Sequence, residues 1–282
     1  MTLHLYDAHN HLQDARFGLH SDELLAIARK EGVVKMVVNG SCEEDWPKVL
    51  NLARHHREVI PSFGYHPWYV KERSPDWQKN LIGVLDESPS AVGEIGLDRW
   101  IENYDTLQQE EVFIWQLTLA AERNLPVSIH CLKAWGRLLE ILQNEPRPKC
   151  GFVLHSFGGP KEMIPSLAQL GAYFSFPGYF AHEHKLKQRE AFRAVPPDRL
   201  LIETDAPDQP LPDELSNYSM IDSSGKPLNH PANLSAVYRF LAEFLENPYE
   251  KLVDEVEQNF LRVFGELGRR ANNSEWKTTD EH

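Results

Sequence analysis

Short apolar runs of β character alternate along the chain with longer segments whose apolar positions recur at helical spacing. The β-like runs are LHLYDAH, VVKMVVNG, VIPSFGYH, AVGEIGLD, PVSIHCL, GFVLHSF, AYFSFPG and RLLIETDAP. Between them lie the amphipathic segments DELLAIARKEG, DWPKVLNLARHH, DWQKNLIGVLDES, LQQEEVFIWQLTLAAERN, AWGRLLEILQNE, KEMIPSLAQLG and EHKLKQREAFRAV. Two further helical patterns, ANLSAVYRFLAEFLEN and PYEKLVDEVEQNFLRVFGEL, follow the last β-like run. Strand and helix alternating in this way call for a parallel sheet, and eight such units close a (β/α)8 TIM barrel. A doubly wound open sheet is the alternative, and the weaker one, because open sheets of that size are less common.

No internal repeat or linker divides the pattern, so residues 1–268 are expected to form a single α/β barrel domain. The polar end RRANNSEWKTTDEH, residues 269–282, has too few apolar residues to pack and is expected to be a disordered tail. Residues 208–233 form a long loop after the eighth strand, and loops of that length are usually functional or disordered.

Composition narrows the class. The 282 residues are 41% hydrophobic and 25% charged, as in a soluble globular protein. No apolar run approaches the roughly 18 residues needed to cross a bilayer, so no membrane partner is expected. The start MTLHLYDAHN lacks a basic stretch leading into an apolar one, and the three cysteines Cys42, Cys131 and Cys150 form no close pair. Both features point to the cytoplasm. The net charge of −13 argues against a protein that coats long nucleic acid. A nucleic-acid substrate would be gripped as a short piece or an end, helped by cations. No obligate protein partner is implied.

The polar residues gain meaning from position. In YDAHNHL, strand alternation puts Asp7, His9 and His11 on one face. His66 (GYHPW), Glu94 (VGEIGLD), His130 (VSIHC), His155 (VLHSF) and Asp205 (IETDAP) fall late in, or at the ends of, strands three, four, five, six and eight. In a barrel those ends open onto one face. A lone histidine there is more often a satisfied rim residue than a ligand, but several at one end of successive strands point to a metal centre. His9, His11, Glu94, His130, His155 and Asp205 supply four imidazoles and two carboxylates, a set sized for two divalent cations sharing a carboxylate. Such a set suits Zn, Mn, Mg or Fe. Asp7, one pleat deeper, is read as a group that orients a ligand or as half of a buried ion pair, and Glu203, equally deep, as one that orients a ligand or neutralises a neighbour. His66 precedes a proline and is read as a further ligand or, at least as readily, as a phosphate-facing donor. Arg99 and Lys133 are the nearby cations, and Trp68 belongs to a cluster of loop aromatics with Tyr65, Tyr69, Trp100 and Trp135. The cluster is either a stacking platform for bases or packing of loops onto the rim.

DAHNHL, GYHPW, GEIGLD, PVSIHC, LHSFGG, IETDAP and NHPAN, in that order, resemble the successive motifs of the TatD-related metal-dependent hydrolases of the amidohydrolase superfamily. The resemblance runs from Asp7 to near Leu267. It implies a TIM barrel with phosphodiesterase or deoxyribonuclease activity, in which His9, His11, Glu94 and Asp205 hold one metal and Glu94, His130 and His155 the other. Three stretches depart from the family pattern. Cys131-Leu132-Lys133-Ala134 stands where Ser-Arg-Asp-Ala is usual, SFPGYFAHEHK replaces a Ser-Gly-containing motif, and Arg99 replaces an aromatic. These bear on the substrate more than on the metal chemistry. The fourth strand offers Glu94 and no lysine, which favours the phosphodiesterase branch over the cyclic amidases.

The expected reaction is hydrolysis by a metal-activated water, with Asp205 accepting the proton and Glu94 bridging. The substrate would be nucleic acid or a small phosphodiester, trimmed from an end. A metal-dependent ester or amide hydrolase, such as an aminoacyl-tRNA deacylase or a small-molecule amidohydrolase, is the competing reading. A degenerate barrel serving only as a scaffold is a third.

Overall fold

A computed structural model of the chain describes residues 4–18 and 20–270. Eight parallel strands form one sheet in sequence order: β1 (Leu5–Asn10), β2 (Val33–Asn39), β3 (Val59–Phe63), β4 (Ala91–Asp98), β5 (Val127–Leu132), β6 (Phe152–Leu154), β7 (Ala172–Pro177) and β8 (Leu200–Glu203). Helices α1 (Ser21–Lys30), α2 (Trp46–His55), α3 (Trp77–Glu87), α4 (Thr106–Arg123), α5 (Trp135–Asn144), α6 (Ile164–Gln169) and α7 (Leu186–Ala191) lie between successive strands. The result is a TIM barrel. Its strands are buried almost throughout, as expected of a parallel sheet covered by helices. The longest crossover, α4, shows how local sequence sets an element. Asp105 caps it by accepting from Gln108 N–H, and Asn124 ends it in a left-handed turn at φ 49°.

The barrel closes by unusual means. Near the start of β1, the Tyr6 N–H and C=O are both taken by the hydroxyl of Tyr238, at 3.1 and 3.0 Å, from α8 (Leu234–Phe244). One step on, the buried Asp7 carboxylate accepts from the Thr204 N–H and hydroxyl and from the His9 N–H. Backbone contact between the two edges is made beyond that, where Asp205 N–H reaches His9 O and His11 N–H reaches Ala206 O. The junction of β1 and β8 is therefore held largely by side chains. Helix α9 (Tyr249–Arg270) covers it from outside, with Phe260 packed on Tyr6 and Asn259 Nδ2 bonded to Leu200 O. Tyr238→Phe would leave a buried donor and acceptor of Tyr6 unpaired, so it should cost roughly 1–3 kcal/mol of stability. A denaturant titration reads this directly, and an unchanged midpoint would contradict it.

Some elements differ from the sequence pattern. β6 is only three residues long, so His155 lies just past its end, and His66 and Asp205 likewise follow rather than end their strands. The backbone leaves the ladder before the polar residue. The segment 183–195 is no continuous helix but α7 flanked by two short 3-10 turns, Glu183–Lys185 and Phe192–Ala194. The long loop carries an antiparallel hairpin, β9 (Ser219–Ile221) with β10 (Pro227–Asn229), turned around Asp222. α9 continues two residues into the expected tail, and residues 271–282 lie outside the described residues. Among the described residues no helix is long and apolar enough to cross a membrane.

Candidate metal centre

At the C-terminal end of the barrel, five imidazoles and five carboxylates occupy one largely buried cluster: His9, His11, His66, His130 and His155 with Asp7, Glu94, Asp98, Glu203 and Asp205. Among the described residues no lysine or arginine pairs with any of these acids. Glu94 sits at the middle. Its Oε2 is 3.4 Å from His9 Nε2 and 3.2 Å from His11 Nε2, and Asp205 Oδ1 lies 3.6 and 3.7 Å from the same nitrogens. Its Oε1 is 3.0 Å from both His130 Nδ1 and His155 Nε2. One carboxylate thus faces two poles, one on each oxygen.

On His11 and His130 the far nitrogen meets an acceptor that fixes the tautomer. His11 Nδ1 is 2.8 Å from the Asn39 carbonyl and must donate to it, which in the neutral ring leaves Nε2 with its lone pair. His130 Nε2 likewise donates to Asp98 Oδ2 at 2.9 Å, while His9 Nδ1 lies 2.7 Å from Ser128 Oγ and 3.1 Å from Asn39 Nδ2. His155 Nδ1 faces Glu203 Oε1 at 3.6 Å, beyond hydrogen-bond reach, and is buried without a partner. His9 Nε2 and His11 Nε2 are only 3.2 Å apart, as are His130 Nδ1 and His155 Nε2 at 3.1 Å. Ring nitrogens so close need a positive charge between them, a shared proton or a cation. Glu94 Oε1 is also buried without a hydrogen bond. This donor chemistry fits a divalent cation at each pole.

Electrostatics agree with that fit. Burial works against ionisation of Glu94, yet the surrounding imidazoles hold it well below the usual carboxylate range. Burial likewise opposes charge on His11, but Glu94 and Asp205 outweigh it and lift the ring to about 9. His155 is raised well above its ordinary value in the same way by Glu94 and Glu203, against burial. Burial lowers His9 to about 4 and raises Asp205 to about 7. The acids that lift His11 and His155 are ones no lysine or arginine reaches, and a cation would supply the positive charge they favour.

His66 lies apart from the other four. Its Nδ1 accepts from the Trp68 N–H at 3.2 Å, so in the neutral ring the proton is on Nε2, 3.5 Å from Glu94 Oε1. Proximity alone would group His66 with Glu94 and His130 around an ion. The tautomer makes it a donor instead. Asp7 is read from the sequence as orienting a ligand, and its carboxylate touches no ring. It holds the His9 backbone and ties β1 to Thr204, because across the junction Thr204 is its nearest donor. Glu203 accepts from the Ser156 N–H and hydroxyl and contacts the Ser175 hydroxyl while facing His155.

Of the loop residues, Trp68 is half exposed, with its Nε1–H fixed on Asp98 Oδ2 at 2.7 Å and its ring edge-on to His66. Lys133 extends over the exposed Trp100 ring. Arg99 pairs with Glu110 on α4 at 3.6 Å instead of meeting the cluster, since an acid on the neighbouring helix is closer. Tyr65 and Trp135 are packing residues, against Trp46 and Phe157. His230 caps the 3-10 turn at Pro231–Asn233.

Asp98 is the residue the sequence reading passed over. It shares the strand face of Glu94 two pleats on, so strand alternation alone could have found it. His130 holds its carboxyl down to about 2 against the effect of burial. Asp98→Ala would leave His130 free to turn and should weaken ion binding by roughly 10–100-fold. A Zn2+ competition measurement checks it, and unaltered affinity would leave Asp98 without this role. Close packing matters as well: a Cβ at Gly96, where φ is 146°, would overlap the His130 carbonyl oxygen. Only glycine lets β4 bring Glu94 beside β5.

A family profile described as TatD related DNase matches residues 6–265. The chain is 30% identical to the 3'-5' ssDNA/RNA exonuclease TatD of Klebsiella pneumoniae (strain 342) over 264 residues, 93% of this chain and 98% of that one. It is 29% identical to the uncharacterized metal-dependent hydrolase YabD of Bacillus subtilis (strain 168), across 92% of this chain and 98% of YabD. The crystal structure of YjjV, a TatD homolog from Escherichia coli K12, superposes with a TM-score of 0.85 at 28% identity, covering 94% of this chain and 99% of the other. With the barrel, the buried cluster and these matches together, the chain belongs to the TatD-related DNase family of metal-dependent hydrolases.

Proposed function

We propose that this chain is a two-metal phosphodiesterase that trims the ends of short or single-stranded nucleic acid. The observation that carries the reading is Glu94, whose two oxygens face separate sets of imidazole nitrogens. His9, His11, Glu94 and Asp205 would hold one divalent cation, and Glu94, His130 and His155 the other. Bound there, such cations lower the pKa of a coordinated water and polarise a phosphoryl oxygen. Asp205 takes the proton of the attacking water, and Ser128, Asn39, Asp98 and Glu203 keep the four rings turned inward. His66 offers its Nε2–H to a non-bridging phosphate oxygen. The exposed face of Trp68 stacks a base, while Lys133 beside Trp100 meets a neighbouring phosphate.

Support comes from the exonuclease named among the relatives and from the net charge of −13, which suits a grip on an end rather than on a long duplex. The test is cleavage of single-stranded DNA and RNA oligonucleotides labelled at either end, with Mg2+, Mn2+ or Zn2+, beside an aminoacyl ester at equal metal occupancy. Metal-dependent shortening that disappears in His130→Ala and Asp205→Ala is expected. Full cleavage by both variants, or turnover of the aminoacyl ester alone, would overturn the proposal.

A further inference from the structure

Gln209, on the segment after β8, joins the two halves of the cluster by a route that does not pass through Glu94. Its Nε2 lies 2.5 Å from Asp205 Oδ2 and 2.6 Å from Ser156 Oγ. Ser156 follows β6 and gives its hydroxyl and N–H to Glu203 Oε1 at 2.6 and 2.7 Å. The same Glu203 oxygen faces His155 Nδ1 at 3.6 Å. Asn229 secures the segment from behind, its Nδ2 bonding the Thr204 carbonyl at 2.7 Å and the Gln209 carbonyl at 3.3 Å. Asp205, Gln209 and Ser156 all hold left-handed backbone, at φ 54°, 52° and 43°. Such conformations cost about 1–3 kcal/mol each in non-glycine residues and persist only where the surroundings enforce them.

A primary amide has two N–H groups, and here each has its own acceptor, a carboxylate and a hydroxyl. Glutamate at this position could donate to neither, leucine likewise, and asparagine is one methylene short. With Oδ2 bound to the amide, the Asp205 carboxylate cannot swing, and Oδ1 is the oxygen left facing His9 and His11. We propose that Gln209 is a positioning residue for Asp205, fixing that carboxylate against Ser156 and Glu203 so that the ion pole of His9, His11 and Asp205 is formed in advance. The proposal rests on the two-pole reading above.

The experiment measures Mn2+ binding to ion-free protein by calorimetry, together with oligonucleotide cleavage, for wild type, Gln209→Leu, Gln209→Glu, Asp205→Asn and the Gln209→Leu/Asp205→Asn double variant. Gln209→Leu should weaken one site about 10-fold and leave the other unchanged. It should lower kcat about 10-fold with KM within about two-fold. Gln209→Glu should lose more, because it adds a charge against Asp205. The double variant should be no slower than Asp205→Asn, since Gln209 acts through that carboxylate. Losses that add in the double variant, isotherms that match wild type, or equal weakening of both sites with a lowered melting point would overturn the assignment. Binding needs no substrate, so absence of phosphodiester cleavage would sink the proposed activity while the isotherms still decide the role of Gln209. A wild type that takes up no Mn2+ overturns both.

Discussion

Glu94→Gln should abolish metal-dependent cleavage, with a loss on the order of 1000-fold or more. The substitution is nearly isosteric at a position only 2% exposed, so the barrel itself is not perturbed by volume. What changes is that one oxygen becomes an NH2 group. Either Oε2, facing His9 and His11, or Oε1, facing His130 and His155, is then unable to accept. Both poles also lose the negative charge they share. Elemental analysis of the purified variant should find less than one ion per chain, with a circular dichroism spectrum like that of wild type. A variant that retained two ions and normal turnover would remove the basis for a shared carboxylate.

Asp205→Asn is expected to have the second largest effect, lowering kcat by roughly 100- to 10,000-fold with KM little changed. The reason lies in the partner on its far side. Gln209 presents an N–H to Oδ2, so an asparagine would turn its own oxygen to Gln209 and its NH2 towards His9 and His11. That NH2 group can neither bind a cation nor take a proton. An ion on the proposed site of Glu94, His130 and His155 should remain, which separates this variant from Glu94→Gln. Single-turnover kinetics on an end-labelled oligonucleotide would measure the chemical step, and an undiminished rate would assign the base elsewhere.

The barrel was legible because strand and helix periods differ, and eight alternations leave few architectures. The histidines were legible because each falls at the end of an apolar run, where a core residue would otherwise stand. What sequence could not show is how each ring is turned. The His66 proton position depends on the Trp68 N–H, and the partner of His11 is a backbone carbonyl, which has no residue signature. Asp98 did carry a signal in its spacing from Glu94, whereas Gln209 carried none, because its role depends on a left-handed turn after β8. Arg99 looked available only because Glu110, on the next helix, cannot be placed beside it without coordinates.

The side-chain closure of the barrel by Tyr238 and Asp7 makes the two poles mechanically unequal. His130 lies within β5 and His155 just past β6, neighbouring strands of an uninterrupted ladder, while His9, His11 and Asp205 straddle the edge where β1 meets β8. Local breathing of a parallel sheet begins where its backbone ladder is thinnest. An ion bridging that edge would have the shorter residence time and leave first under a chelator, while its neighbour stays lodged in the fabric of the sheet.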